Sequence, residues 1–121
     1  MTALPLGGAS ERAAALRSWF RSLRDGEVIG MFPEGERGRA GGLLTPDPAL
    51  DRFFGLLAAM HVPVLPVGIW EEDDRLRVSF GESMFLSHGD GRNAVMQAIA
   101  MQLPMRMRGP YRHVNAAESV N

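Results

Sequence analysis

Residues 62–70 have the sequence VPVLPVGIW, an apolar run that predicts a strand buried on both faces. Strands of this kind are typical of parallel sheets that helices cover on both sides. The stretch EVIGMF at 27–32 is a second short run of strand formers, and a helix predicted over 47–60 lies between the two. Because a strand–helix–strand unit joins parallel strands by a right-handed crossover, this region predicts an α/β fold.

The strand that follows is predicted from alternation. The sequence RLRVSFG at 75–81 alternates apolar and polar residues, which is the pattern of a strand with one face buried. We predict that it pairs with 62–70 as a hairpin and that Leu76, Val78 and Phe80 face the core.

Two further helices complete the predicted domain. Apolar residues recur at helical spacing over 9–25 and over 90–103, with a glycine or a proline near each end. We therefore predict an α/β domain over residues 1–103, with a small, mostly parallel sheet and flanking helices. The tail at 104–121 fits neither period and is predicted to be loose.

Composition excludes several classes of function. A length of 121 residues corresponds to one domain or to part of a larger one, and the net charge of −1 argues against a dedicated nucleic-acid binder. The chain has no cysteine, which excludes disulfides and thiolate chemistry, and all 13 of its basic residues are arginine, which excludes lysine Schiff bases. The pattern of the first ten residues does not predict a signal peptide, and no apolar run of the sequence is long enough to predict a membrane-spanning helix. Anion recognition by arginine stays open.

The strongest local signal is the sequence FPEGER at 32–37, directly after a predicted strand. Folds of the α/β class bind ligands beyond the carboxyl ends of parallel strands. Gly35 allows a ligand to approach the backbone closely, and Arg37 can offer paired donors to a phosphate. Glu34 could hydrogen-bond a ligand hydroxyl or hold Arg37 in position. An anion-binding turn and a surface turn with a chance ion pair are both compatible with these residues.

Two prolines interrupt the strand predicted at 62–70. Pro63 and Pro66 each remove a donor from the ladder, which is disfavoured in the middle of a sheet. One explanation is a strand beside a binding cleft, where the missing N–H is harmless. The other is an edge strand, and spacing alone does not decide between them.

Together, FPEGER at 32–37 and VPVLPV at 62–67 resemble the third and fourth sequence blocks of the glycerophospholipid acyltransferase family. That family includes lysophosphatidic acid and glycerol-3-phosphate acyltransferases. The resemblance covers about residues 10–85 and implies the C-terminal half of such a domain. It implies transfer of an acyl group from acyl-CoA or acyl carrier protein to a hydroxyl of a glycerophosphate or lysophospholipid, with no metal and no resident cofactor.

The resemblance also implies which residues bind the acceptor. Arg37 would contact the phosphate, Glu34 and Gly35 would shape the site, and Pro66 would line the same cleft. The complete set of substrate-binding residues that we expect is Phe32, Pro33, Glu34, Gly35, Arg37 and Pro66.

The family's catalytic block, His-x-x-x-x-Asp upstream of the FPEG turn, is missing from this chain. No histidine precedes His61, and neither His61, His88 nor His113 is followed by aspartate at the family spacing. We therefore expect no catalytic residue here and little activity from the chain alone. Three readings remain: a piece of an acyltransferase whose catalytic block lies upstream or on a companion chain, a non-catalytic module that binds a phosphate headgroup, or a structural domain with a coincidental turn.

Location and lipid contact follow from the same resemblance and from the tail. We expect a cytoplasmic protein that can lie peripherally at the inner membrane face. Arg106, Arg108 and Arg112 surround Tyr111 and make the tail locally basic, which favours contact with anionic lipid headgroups. A disordered tail without that contact is the alternative.

Overall fold

Three α-helices and one β-hairpin form the part of the chain that the structure describes. This computed structural model describes residues 9–34, 43, 45–46, 48 and 50–111. The helices are α1 (Ala9–Arg24), α2 (Leu50–Ala59) and α3 (Gly91–Met101), and the strands are β1 (Val67–Glu72) and β2 (Arg75–Phe80). All three helices lie within the predicted ranges, so the α/β class and its helices are confirmed.

The main core forms where α1 lies against α2 and α3. Trp19 of α1 is fully buried, and its ring meets the ring of Phe53 edge-on with centroids 5.1 Å apart. Residues at helical spacing on α2 form the centre of this cluster, as their pattern predicts. We call the following residues the first core cluster: Trp19, Leu50, Phe53, Phe54, Leu57, Ala58, Leu86 and Val95.

The hairpin of β1 and β2 is confirmed, and its turn is explained by two aspartates. The strands pair antiparallel, with Glu72 opposite Arg75. Asp73 and Asp74 between them have φ angles of 53° and 60°. Positive φ at both central residues defines the type I′ turn that suits the twist of a hairpin, and aspartate tolerates that conformation better than most residues.

The face that β2 turns to the core was predicted wrongly. Leu76 and Phe80 are 71% and 67% exposed. Val78 is also exposed, at 47%. Ser79 is the one residue of β2 that is not exposed, and its hydroxyl donates a hydrogen bond of 2.7 Å to Oε1 of Gln102, just beyond α3. Gly68 of β1 makes this approach possible, because a Cβ there would lie 2.5 Å from the carbonyl oxygen of Gln102. The predicted strand is therefore present, but the side that meets the rest of the protein is the side of Ser79.

The predicted strand at 27–32 is absent from the structure. Among the described residues, no backbone hydrogen bond joins positions 28–31 to another segment. A strand needs a ladder partner as well as strand-forming side chains, and no described segment supplies one. The predicted parallel pairing is therefore not found, and the one ladder within the described ranges is the antiparallel hairpin.

The strand predicted at 62–70 begins later than expected. Within 62–66 the structure has only an isolated antiparallel bridge between Val64 and Met84, and β1 starts at Val67. Pro63 and Pro66 flank that bridge, and neither has an N–H to extend a ladder. The two prolines thus limit regular pairing to the residues after them.

Candidate functional site

The segment that leads into the FPEG turn lies along the first core cluster. Ile29 and Met31 pack against that cluster, and Pro33 is buried. Val28 and Phe32 point the other way and are 73% and 48% exposed. The side chains thus alternate as in a strand although no ladder forms, and the core holds the upstream end of the turn in place.

Four of the six predicted site residues lie in the described part of the chain. Phe32 is exposed, Glu34 is half-buried, and Pro33 and Pro66 are buried. Gly35 and Arg37 lie outside the described residues, so the phosphate contact stays a prediction.

Pro66 lies at the base of the hairpin, beside the end of α3. Its carbonyl oxygen accepts a hydrogen bond of 2.9 Å from the N–H of Gly81. A Cβ at Gly81 would lie 2.8 Å from both Cγ of Pro66 and Nε2 of Gln102, so these three residues are in close contact. The described surroundings of Pro66 are therefore hairpin and helix, and the cleft that it was predicted to share with the turn stays a prediction.

Leu43, downstream of the turn, is held by a contact that the sequence did not indicate. Leu43 is only 6% exposed, and its N–H donates a hydrogen bond of 2.8 Å to the carbonyl oxygen of Met107. It belongs to what we call the second core cluster, which consists of Leu43, Met96, Ala100 and Leu103, with Met107 and Tyr111 packed against it.

The tail from residue 104 was predicted to be loose. Residues Met105–Met107 and Gly109–Tyr111 form two 3₁₀ turns, and residues 112–121 lie outside the described part. Two three-residue turns are too short to show a period, so the apolar residues in this segment were the only available signal.

A cavity of about 140 Å³ lies at the start of α3. Nε of Arg92 lies 3.1 Å from Oδ1 of Asp51 at its wall, and this pair is largely exposed, so it contributes little to stability. The cavity is lined by Asp51, Gly55, Ser87, Gly89, Asp90, Gly91, Arg92 and Asn93, none of which is a predicted site residue. Within the described ranges, no three His, Asp or Glu side chains are placed to hold a metal ion.

Tyr111, the single tyrosine of the chain, offers a direct spectroscopic probe of the second core cluster. Partial burial raises the pKa of its phenol above the ordinary 10.0, and the nearby charge of Arg92 offsets part of that rise. Because the folded pKa is the higher one, the stability that this group contributes is complete below pH 10.0 and is lost as the pH rises through the folded pKa.

We expect the absorbance titration of Tyr111 to have its midpoint above 10.0 in the folded protein and to return to about 10 in denaturant. The matched variant Arg92→Ala should move the folded midpoint further upward, because it removes the charge that lowers this pKa. A folded midpoint equal to the denatured one would contradict the packing of Tyr111 described above.

These observations define a mixed α/β domain with a glycine-containing turn that begins at a buried proline. The family model described as Acyltransferase matches residues 7–70, a range that contains both the FPEG turn and the proline-bearing segment. That range is more than half of the chain, so the chain belongs to the acyltransferase family, which confirms the resemblance seen in the sequence. No curated protein and no solved structure matches the chain closely enough to refine this assignment. Within the described residues, none of the helices combines the length and the apolar character needed to cross a bilayer.

Proposed function

We propose that this chain carries the acceptor-binding part of an acyltransferase of the glycerophospholipid type. A hydroxyl of a glycerophosphate or lysophospholipid would attack the thioester carbonyl of acyl-CoA or acyl-acyl carrier protein. The new bond is an ester, the bond that breaks is carbon–sulfur, and the proton of the hydroxyl passes to the thiolate that leaves. The match over residues 7–70 is the observation that carries this proposal, since it contains both quoted sequence blocks.

Arg37 is the residue that we propose for the acceptor's phosphate. A guanidinium is planar and presents parallel donors that suit two phosphate oxygens, and it stays charged at any physiological pH. Gly35 lets the headgroup approach the backbone, and Glu34 orients either a ligand hydroxyl or Arg37 itself. The burial of Pro33 supports this arrangement because it restrains the chain immediately before these residues. Phe32 and Pro66 complete the proposed cleft.

The general base is proposed to come from outside the residues of this chain. A positioned base typically contributes 10²- to 10⁴-fold to such a reaction, about 3–5 kcal/mol of barrier. His61 and His88 are exposed, and neither has an aspartate at the family spacing. We therefore propose that the His and Asp of the reaction lie upstream or on a companion chain, and that the chain alone transfers acyl groups slowly. No resident cofactor is proposed, and the acyl donor acts as a co-substrate.

Two further proposals, one on the sheet and one on location, go with this function. In the complete domain, residues 27–32 and 62–66 would be neighbouring parallel strands, which accounts for the alternation at 28–33 in the absence of a ladder. The protein would act in the cytoplasm, peripherally at the inner membrane face, where lysophospholipid acceptors lie.

The second candidate is a module that binds a phosphate headgroup without catalysis. The observation that favours it is the absence of any histidine before His61. The two candidates differ in one respect, since only the acyltransferase gains activity when the sequence encoded upstream, or a companion chain, is supplied together with this one.

The variant Arg37→Ala tests the shared binding step. We expect the dissociation constant for sn-glycerol 3-phosphate, measured by calorimetry, to rise about tenfold or more, because charge-assisted hydrogen bonds contribute about 1.5–3 kcal/mol each. The control is Arg24→Ala, which removes an exposed arginine from the last turn of α1 and should leave binding unchanged. Equal affinities for both variants, or no binding by the wild-type chain to either this ligand or lysophosphatidic acid, would count against the proposal.

A further inference from the structure

We propose that residues 104–111, which we call the C-terminal clasp, are a positioning element that holds the downstream end of the FPEG loop at Leu43. The consequence for ligand binding depends on the function proposed above, whereas the clasp itself does not. Nothing in the sequence blocks of the resemblance includes these residues, which lie beyond the matched range of 7–70.

The first observation is the contact between Leu43 and the clasp. The N–H of Leu43 donates a hydrogen bond of 2.8 Å to Met107, and its side chain is buried in the second core cluster. This contact joins positions 64 residues apart in the chain, so it forms only in the folded state.

The second observation is the glycine at position 109. Gly109 has a φ of 55°, in the left-handed region that favours glycine. A Cβ at this position would overlap the carbonyl oxygen of Leu43 and would lie 2.9 Å from its carbonyl carbon. The backbones of the clasp and of Leu43 can approach this closely only because position 109 has no side chain.

The clasp is itself anchored at two places. Nε of Arg108 donates a hydrogen bond of 3.1 Å to the carbonyl oxygen of Leu103, at the end of α3. The guanidinium of Arg106 lies 3.0 Å from Oε1 of Glu72, at the end of β1. The pair of Arg106 with Glu72 is largely exposed and contributes little, so the main tie of the clasp is to the end of α3.

Leu43 matters for the proposed ligand contact because of its place in the sequence. Pro33 is buried four positions before Arg37 in the sequence, and Leu43 is buried six positions after it. The segment that contains Arg37 is therefore held at a described residue on each side. Releasing Leu43 removes one of these two restraints, so we expect a smaller share of conformations to suit any one ligand.

The test compares Gly109→Ala with the matched control Gly89→Ala. Gly89 also has a positive φ, of 88°, but a Cβ there would meet nothing within 4 Å. Both variants strain the backbone, and only the first displaces Leu43. Because the chain has no lysine, trypsin cuts only after arginine, and cleavage after Arg37 and Arg39 can be followed by mass spectrometry. We expect this cleavage to accelerate about tenfold in Gly109→Ala and by less than about twofold in Gly89→Ala.

Calorimetry with sn-glycerol 3-phosphate separates this proposal from the proposed function. We expect the dissociation constant to rise about threefold to tenfold in Gly109→Ala and to stay unchanged in Gly89→Ala. If cleavage accelerates in Gly109→Ala as expected but the wild-type chain binds no ligand, the proposal about the clasp is supported and the proposed function is contradicted. If the wild type binds while both variants match it in cleavage and affinity, the clasp is overturned.

A second variant keeps the test decisive if Gly109→Ala does not fold, as judged by circular dichroism. Leu43→Ala removes the docked side chain from the loop side and leaves the clasp sequence unchanged. It should also accelerate cleavage after Arg37 and Arg39 about tenfold. Cleavage at the wild-type rate in a folded Leu43→Ala protein would overturn the proposal.

Discussion

Replacing Trp19 with alanine is expected to lower the free energy of unfolding by about 3–5 kcal/mol. Trp19 is fully buried between α1 and α2, and its ring packs edge-on against Phe53. Its Nε1 has no hydrogen-bond partner within the described part of the chain, so the loss arises from packing and from the cavity that is left. Domains of this size are stable by about 5–15 kcal/mol, and the variant should therefore unfold at much lower urea concentration.

The measurement is urea unfolding followed by circular dichroism, because fluorescence would change with the loss of the tryptophan itself. Phe80→Ala is the control, since it removes another large aromatic residue, but one that is 67% exposed on β2. We expect Phe80→Ala to lower the free energy of unfolding by less than about 1 kcal/mol. Similar losses for Trp19→Ala and Phe80→Ala would show that the exposed face of the hairpin is covered in solution and that the described core is incomplete.

Gly68→Ala and Gly55→Ala are the same chemical change, and we expect them to change the free energy of unfolding in opposite directions. At Gly68 a Cβ would lie 2.5 Å from the carbonyl oxygen and 2.9 Å from Cβ of Gln102, which forces β1 away from the end of α3. We expect Gly68→Ala to lower the free energy of unfolding by about 1–3 kcal/mol, as extra atoms do in a packed core. At Gly55, within α2, a Cβ would meet nothing within 4 Å. Alanine there should stabilise the protein by about 0.5–1 kcal/mol, because glycine is a poor helix former.

Both glycine variants can be measured in the same urea titrations as the Trp19 series. The informative quantity is the difference between the two midpoints, since any general effect of alanine cancels. A Gly68→Ala protein as stable as wild type would mean that the hairpin does not pack on Gln102, and the orientation of β2 described above would then be wrong.

The sequence by itself determined the local features of this protein. The helix predicted over 47–60 is an example: Leu50, Phe53 and Leu57 recur at helical spacing and form its buried face, because a helix buries residues at a period that depends only on its own geometry. The alternation at 75–81, close after the apolar run at 62–70, similarly predicted a hairpin. The FPEG turn and the prolines at 63 and 66 were enough to identify the acyltransferase family, which the match over 7–70 confirmed.

Only the tertiary structure decided which surfaces meet. Period-two alternation states that a strand has two faces and does not state which of them packs. The inward side of β2 was settled by the contact of Ser79 with Gln102 and by the absence of a side chain at Gly68, where Gln102 approaches closely. Residues 27–32 have strand-forming side chains, yet a ladder requires a partner that no described segment provides. The contact between Leu43 and Gly109 was invisible in the sequence for the same physical reason: the two residues are far apart along the chain, and no local pattern records a contact that exists only after folding.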